Sequence, residues 1–187
     1  MTGVFKAAAQ LQEVCDQQEW SYCFIGGLAL QRWGEPRMTK DADLTLITGF
    51  GREEGFVETL LRHFQGRIAD AREFALRNRV LLLRAESGVG LDVALGALPF
   101  EERAVERSSM FTYPDNISLR TCSAEDLIVF KAFADRGQDW VDIERVLIRQ
   151  QRTLDWPHIL NQLAPLVAAK DAPEILTRLE RLRVNSR

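Results

Sequence analysis

With 187 residues, 46% hydrophobic and 27% charged, the chain has the composition of an ordinary globular fold: one domain, or one domain with a helical appendage. A formal net charge of −3 and a pI near 5.5 argue against a protein that coats nucleic acid non-specifically, because such binding rests on neutralising many phosphates. No stretch approaches 18 consecutive apolar residues, which excludes a transmembrane helix. The N-terminus lacks the basic and long apolar regions of a secretory leader, so a cytoplasmic protein with no membrane partner is expected.

In chain order, Val4, Ala7, Ala8, Leu11, Val14 and Cys15 recur with the i, i+3, i+4 rhythm of a helix over 4–18. A short apolar strand over 21–25 runs into Gly26-Gly27, after which Leu28 to Trp33 reads as a helical turn or two. Asp41-Ala42-Asp43 opens an alternating strand at 42–48, and Phe56, Leu60, Leu61 and Phe64 mark a helix over 52–64. Strands are expected at 79–84 and 91–95 around the turn residues Ser87-Gly-Val-Gly90, then a helix from Pro99 to Arg107 and a short strand at 117–120. From Ser123, which stands three residues before Asp126 in the manner of an N-cap, helical periodicity fills 124–135, 138–151, 155–169 and 173–183. The boundaries expected are therefore 1–121 for a mixed α/β core and 122–187 for a helical region packed on it. There is no internal repeat or long linker.

Cys15, Cys23 and Cys122 are odd in number and widely separated, no Cys-x-x-Cys exists, and His63 and His158 are the only histidines. A disulfide framework and a zinc site are thus disfavoured, and the cysteines read as buried small hydrophobes. His63 and His158 read as structural. Arg178, Arg181, Arg183 and Arg187 crowd the C-terminus as a solvated helix face or an RNA contact.

The chemistry gathers where a strand breaks at glycine. Such a break, opening a helix, aims unpaired backbone N–H groups at one point, where a phosphate can sit. Thirteen residues intervene between Gly27 and Asp41. Residues i and i+2 of a strand share a face, so Asp41 and Asp43 project together, about 6–7 Å apart at roughly 3.3 Å rise per residue, while Leu44 and Leu46 point to the core. Two carboxylates so placed can share a pair of divalent cations. Asp92, flanked by Leu91 and Val93, faces opposite to both. It is either a solvent-facing residue or, with its strand beside that of Asp41 and Asp43, the third carboxylate of the site.

Gly26-Gly-Leu-Ala-Leu, then Gly34, then Arg37-Met-Thr-Lys-Asp-Ala-Asp43, with the later Asp92, resembles the polymerase-β-like nucleotidyltransferase superfamily, and within it the AbiEii-type and MenT-like toxin branch. Lys131, Arg136, Asp139 and Asp142 resemble the helical motif of that branch, and the likeness covers about residues 20–150. The resemblance implies an α/β (α+β) fold: a small mixed β-sheet flanked by helices, followed by a C-terminal helical bundle. It implies transfer of an NMP from an NTP to an acceptor hydroxyl, with RNA or tRNA the favoured acceptor and a protein or small molecule the alternatives. It further implies two Mg²⁺ ions (or Mn²⁺) on Asp41, Asp43 and Asp92, and triphosphate contacts from Gly26, Gly27 and Lys131. A toxin would have a cognate antitoxin as partner. Ala42 is smaller than the residue usual between the aspartates, and Lys40, on the strand alternation, faces away from the metals.

For the remaining residues two readings stand side by side. Arg37 touches nucleotide phosphates or pairs with a carboxylate near the turn, and Thr39 touches the nucleotide or stabilises the loop entering the strand. Lys131 reaches the phosphates or snorkels to solvent. Asp139 and Asp142 share a helix face; they contact the nucleotide, orient Arg136, or complement the helix dipole. A non-catalytic nucleotide- or partner-binding module on the same fold is the contrasting function.

Overall fold

The structure, a computed structural model, describes residues 2–150 and 153–185. The chain divides into two compact units, 1–28 with 38–122 and 29–37 with 123–187.

The first unit is built on one sheet of seven strands. Its helices are α1 (Thr2–Gln17), α3 (Glu53–His63), α4 (Ala71–Asn78) and α5 (Pro99–Glu106), joined by the start of α2 (Gly26–Trp33). Its strands are β1 (Tyr22–Phe24), β2 (Asp41–Ile47), β3 (Gln65–Gly66), β4 (Val80–Arg84), β5 (Gly90–Gly96), β6 (Ser109–Tyr113) and β7 (Ile117–Thr121). They are ordered β3-β4-β5-β2-β1-β7-β6, with β2/β5 and β1/β7 parallel and the other neighbours antiparallel. The expected mixed sheet is present.

The helix over 4–18 and the glycine-led helix start earlier than the apolar rhythm alone indicates, at Thr2 and Gly26, because polar and glycine residues can occupy a first turn without adding to the rhythm. Among the elements not expected are the two-residue β3, α4 and β6. α4 carries only Ala71 and Ala75 as buried residues, too sparse a stripe for periodicity to register. β6 is an edge strand on which Ser109 to Thr112 are all exposed, so it has no apolar alternation to read.

α1 buries Val4, Phe5, Ala7, Ala8, Leu11, Val14 and Cys15, and it packs on β7 and β2. Beneath it, Leu44, Leu46, Leu91 and Val93 of the central pair are essentially inaccessible. Cys15, Cys23 and Cys122 are free and buried, and burial pushes the Cys15 thiol up to about 12. At α5, Pro99 needs no donor in the first turn, and Glu101 Oε2 accepts from the N–H groups of Ala97 and Leu98 at 2.9 and 2.8 Å.

The second unit is helical, with α6 (Ala124–Ala134), α7 (Gly137–Gln150), α8 (Trp156–Lys170) and α9 (Glu174–Asn185) beside the end of α2. Ser123 caps α6: its Oγ accepts from the Asp126 N–H at 3.1 Å and donates to Asp126 Oδ2 at 2.7 Å. The other Asp126 oxygen lies 2.8 Å from His158 Nε2, so this histidine is tied into the cap, while His63 is exposed. Asp155 caps α8 by accepting from the His158 N–H at 3.0 Å. Arg178 stacks over Trp140 at 4.3 Å and Arg183 over Trp156 at 4.5 Å, so two of the C-terminal arginines are held by aromatic faces of their own unit. Arg187, and residue 151 at the end of the second expected helix segment, lie outside the described residues.

Leu44→Ala is expected to cost about 2–5 kcal/mol by opening a cavity in the middle of the sheet. A urea titration with an unchanged m-value and a lower midpoint is the check.

Candidate active site

β2 and β5 run parallel with Asp41 opposite Gly90, Ala42 opposite Leu91 and Asp43 opposite Asp92. Asp43 and Asp92 are thus direct neighbours across the ladder, and Asp41 lies two residues before Asp43 on the same face. The alternation of β2 sends Ala42, Leu44 and Leu46 into full burial and leaves Asp41 and Asp43 partly exposed; Lys40, just before, is exposed.

Glycine clears the space beside Asp43 and Asp41. Gly26 sits at φ +56°, and a Cβ there would collide with Asp43 Oδ2. A Cβ on Gly90 would run into Asp41 Oδ1 and stand 2.6 Å from Arg67 Nη1. A Cβ on Gly27 would lie 2.5 Å from Thr39 Oγ1, and that hydroxyl donates to the Asp41 carbonyl at 3.0 Å, holding the loop that enters β2. The Gly27 N–H, in the first turn of α2, points at Asp43 Oδ2 at 3.4 Å. The helix N-terminus and the carboxylate therefore face each other, the favourable pairing of a partial positive end with an anion.

Arg67 enters this cluster with no motif to announce it. Its Nη2 is 2.7 Å from Asp92 Oδ1 and its Nη1 3.9 Å from Asp41 Oδ1. The Asp92 contact is close in distance yet off-line: Oδ1 is buried and receives no hydrogen bond of acceptable geometry. Burial raises the Asp92 carboxyl and the Asp41 charge adds to this, while Arg67 acts against both. Among the described residues, no three His, Cys, Asp or Glu side chains close around a point where an ion would sit.

The helical unit holds a second charged cluster. Lys131, only 5% exposed, lies 3.2 Å from Asp139 Oδ1 and 2.7 Å from Asp142 Oδ2. Arg37 donates from Nε and Nη2 to Asp142 at 3.0 and 2.9 Å, Gln138 donates to Asp142 at 3.0 Å, and Arg136 pairs with Asp139 at 2.7 Å. Lys131 does not snorkel; two buried carboxylates hold it in place. Burial acts to raise the Asp142 carboxyl, but hydrogen bonds from Arg37, Lys131 and Gln138 outweigh it and hold the group at about 2. In the same unit Arg149 donates to the Gly34 carbonyl, and a Cβ on Gly34 would lie 2.6 Å from Leu30 Cδ1.

The family model described as "Nucleotidyl transferase AbiEii toxin, Type IV TA system" matches residues 11–179. Comparison with curated proteins found no match. Among solved structures, an antigenic nucleotidyltransferase-like protein from Paracoccidioides brasiliensis is 16% identical with a TM-score of 0.53, over 95% of this chain and 92% of that one, a likeness of fold. The antibiotic-resistance factor ANT(2'')-Ia, solved in complex with adenylyl-2''-tobramycin, is 17% identical over the whole of both chains with a TM-score of 0.48. A lincosamide antibiotic adenylyltransferase, LnuA, is 15% identical over 73% of this chain and 91% of that one, with a TM-score of 0.46.

Two outcomes follow from this geometry. Gly26→Ala forces a side chain into both a positive φ and the Asp43 carboxylate, and should lower Tm by several degrees, on the order of 1–3 kcal/mol; differential scanning calorimetry reads this. Asp142→Asn removes one partner of a buried ionic network and should cost about 3 kcal/mol or more. Because the Asp142 carboxyl is depressed from 3.8 to about 2, its stabilisation is complete above about pH 4 and is lost as pH falls through about 2. Acid titrations of stability should therefore be flatter between these values in Asp142→Asn than in the wild type.

Proposed function

The chain belongs to the AbiEii nucleotidyl transferase family, and from that premise we propose that it moves an NMP from an NTP to a hydroxyl of RNA, tRNA being the first acceptor to test, as the toxin of a toxin–antitoxin pair. Nucleotidyl transfer is the activity of the family. The observation that carries the reading to named residues is the register of β2 with β5, which makes Asp43 and Asp92 neighbours with Asp41 on the same face.

The donor set fits a hard divalent cation. It consists of carboxylate oxygens with no thiolate or imidazole among them, and Gly26 and Gly90 clear the volume beside Asp43 and Asp41. Asp41, Asp43 and Asp92 would hold Mg²⁺ or Mn²⁺, which when bound neutralises phosphate charge and lowers the pKa of a bound hydroxyl. Gly26 and Gly27 supply the glycine break and N–H groups that would receive triphosphate oxygens, with Thr39 bracing the loop. By the resemblance Lys131 would contact the triphosphate; Arg37, read as a phosphate contact on its own account, pairs with Asp142, and Asp139 and Asp142 both hold Lys131.

In the step itself, the acceptor oxygen bonds to the α-phosphorus as the bond to the β-phosphate oxygen breaks, and pyrophosphate leaves with that electron pair. The hydroxyl proton passes to Asp92. The remainder of the catalysis is positioning and electrostatic, as in phosphoryl transfer generally.

Purified protein incubated with each labelled NTP, Mg²⁺ and total tRNA should place label in the RNA. Asp41→Ala and Asp43→Ala should lose at least about a hundredfold in rate with circular dichroism unchanged. Retained turnover in those variants would overturn the site. Mg²⁺-dependent NTP binding without labelled RNA would move the acceptor to a protein or small molecule. NTP binding indifferent to Mg²⁺ would favour a non-catalytic binding module.

A further inference from the structure

Three carboxylates on one face of two adjacent strands repel one another unless something positive stands among them. In this fold that positive group belongs to the chain itself. Arg67 follows β3 directly, and its backbone N–H donates to the Leu82 carbonyl at 2.9 Å, anchoring the residue to the sheet. From there the guanidinium spans Asp92 at 2.7 Å and Asp41 at 3.9 Å. The space it fills exists because residue 90 is glycine: a Cβ there would strike the Asp41 carboxylate and come within 2.6 Å of Arg67 Nη1.

The contact lacks the signature of a permanent structural bridge. Arg67, Asp92 and Asp41 remain 26%, 29% and 49% exposed, and the buried Asp92 Oδ1 receives no hydrogen bond of acceptable geometry. The Lys131–Asp139–Asp142 cluster, by contrast, is buried throughout and hydrogen-bonded at each oxygen named above. Arg67 neutralises the site while leaving acceptor capacity on Asp92 unused.

We propose that Arg67 is an exchangeable counter-ion of the carboxylate site: it balances Asp41 and Asp92 when no divalent cation is bound and yields its place when one binds, and so sets the metal affinity of this chain. The inference rests on the carboxylate assignment proposed above. An internal competitor lowers the apparent affinity by the fraction of molecules in which the site stands open, so removing it should tighten binding.

The test uses Mn²⁺ alone, without nucleotide, on the full chain, by titration calorimetry and by Tm in EDTA against Tm in Mn²⁺. Arg67→Met keeps the aliphatic stem and removes the charge. It should bind Mn²⁺ at least about tenfold more tightly than the wild type, as expected when a competing state is removed. It should also show a lower Tm in EDTA and a larger Tm gain on adding Mn²⁺. Arg67→Lys, which keeps a charge but cannot span both carboxylates, covers the case in which the methionine variant fails to fold; it should lie between the two. Equal or weaker Mn²⁺ binding in a folded variant, with the wild type binding, overturns the counter-ion role and leaves the carboxylate site standing. No Mn²⁺ binding by any form, wild type included, overturns both.

Discussion

Parallel pairing of β2 with β5, in the one register that sets Asp43 against Asp92, is the constraint on which the rest of the first unit depends. A shift of one residue along either strand would turn every side chain to the opposite face, exchanging carboxylates for Leu44, Leu91 and Val93. The buried leucines therefore hold the charges in place: apolar burial on one face fixes the register, and the register concentrates negative charge on the other. Burying charge at a sheet centre is costly, and the chain meets that cost locally. The α2 N-terminus faces Asp43, Arg67 faces Asp92 and Asp41, and glycines at 26 and 90 leave room for both arrangements.

The two charged clusters, each in its own unit, show how similar residues serve opposite physical ends. Lys131 and Asp142 are buried and bonded on several sides, a condition in which losing any partner leaves an uncompensated charge. Such a cluster gives α6 and α7 a single relative placement. The Arg67 cluster is half-open and imperfectly bonded, so its groups can change partners at lower cost. In the proposed counter-ion role, cation affinity would depend on that openness.

Much of the fold was legible because local rules decide it. The rhythm of Val4, Ala7, Ala8, Leu11, Val14 and Cys15 defines α1, the alternation after Asp41 defines β2, and Ser123 with Asp126 marks the start of α6. Elements with little to bury escaped notice. α4 hides two alanines, and β6 is an edge whose first four residues are exposed. Arg67 was invisible for a different reason: it sits in no motif, and its meaning comes from carboxylates 26 residues before it and 25 after it in sequence.

Composition, apolar period and the Gly-Gly to Asp-x-Asp spacing determined by themselves the class of fold, the helical character of the last third and the candidacy of Asp41 and Asp43, since each depends on residues close together in the chain. Only the tertiary structure decided that β5 lies beside β2, that Arg67 stands against Asp41 and Asp92, and that Lys131 is enclosed by Asp139 and Asp142. Those pairings depend on which apolar faces pack together across long separations, and on the charges that this packing leaves no other way to neutralise.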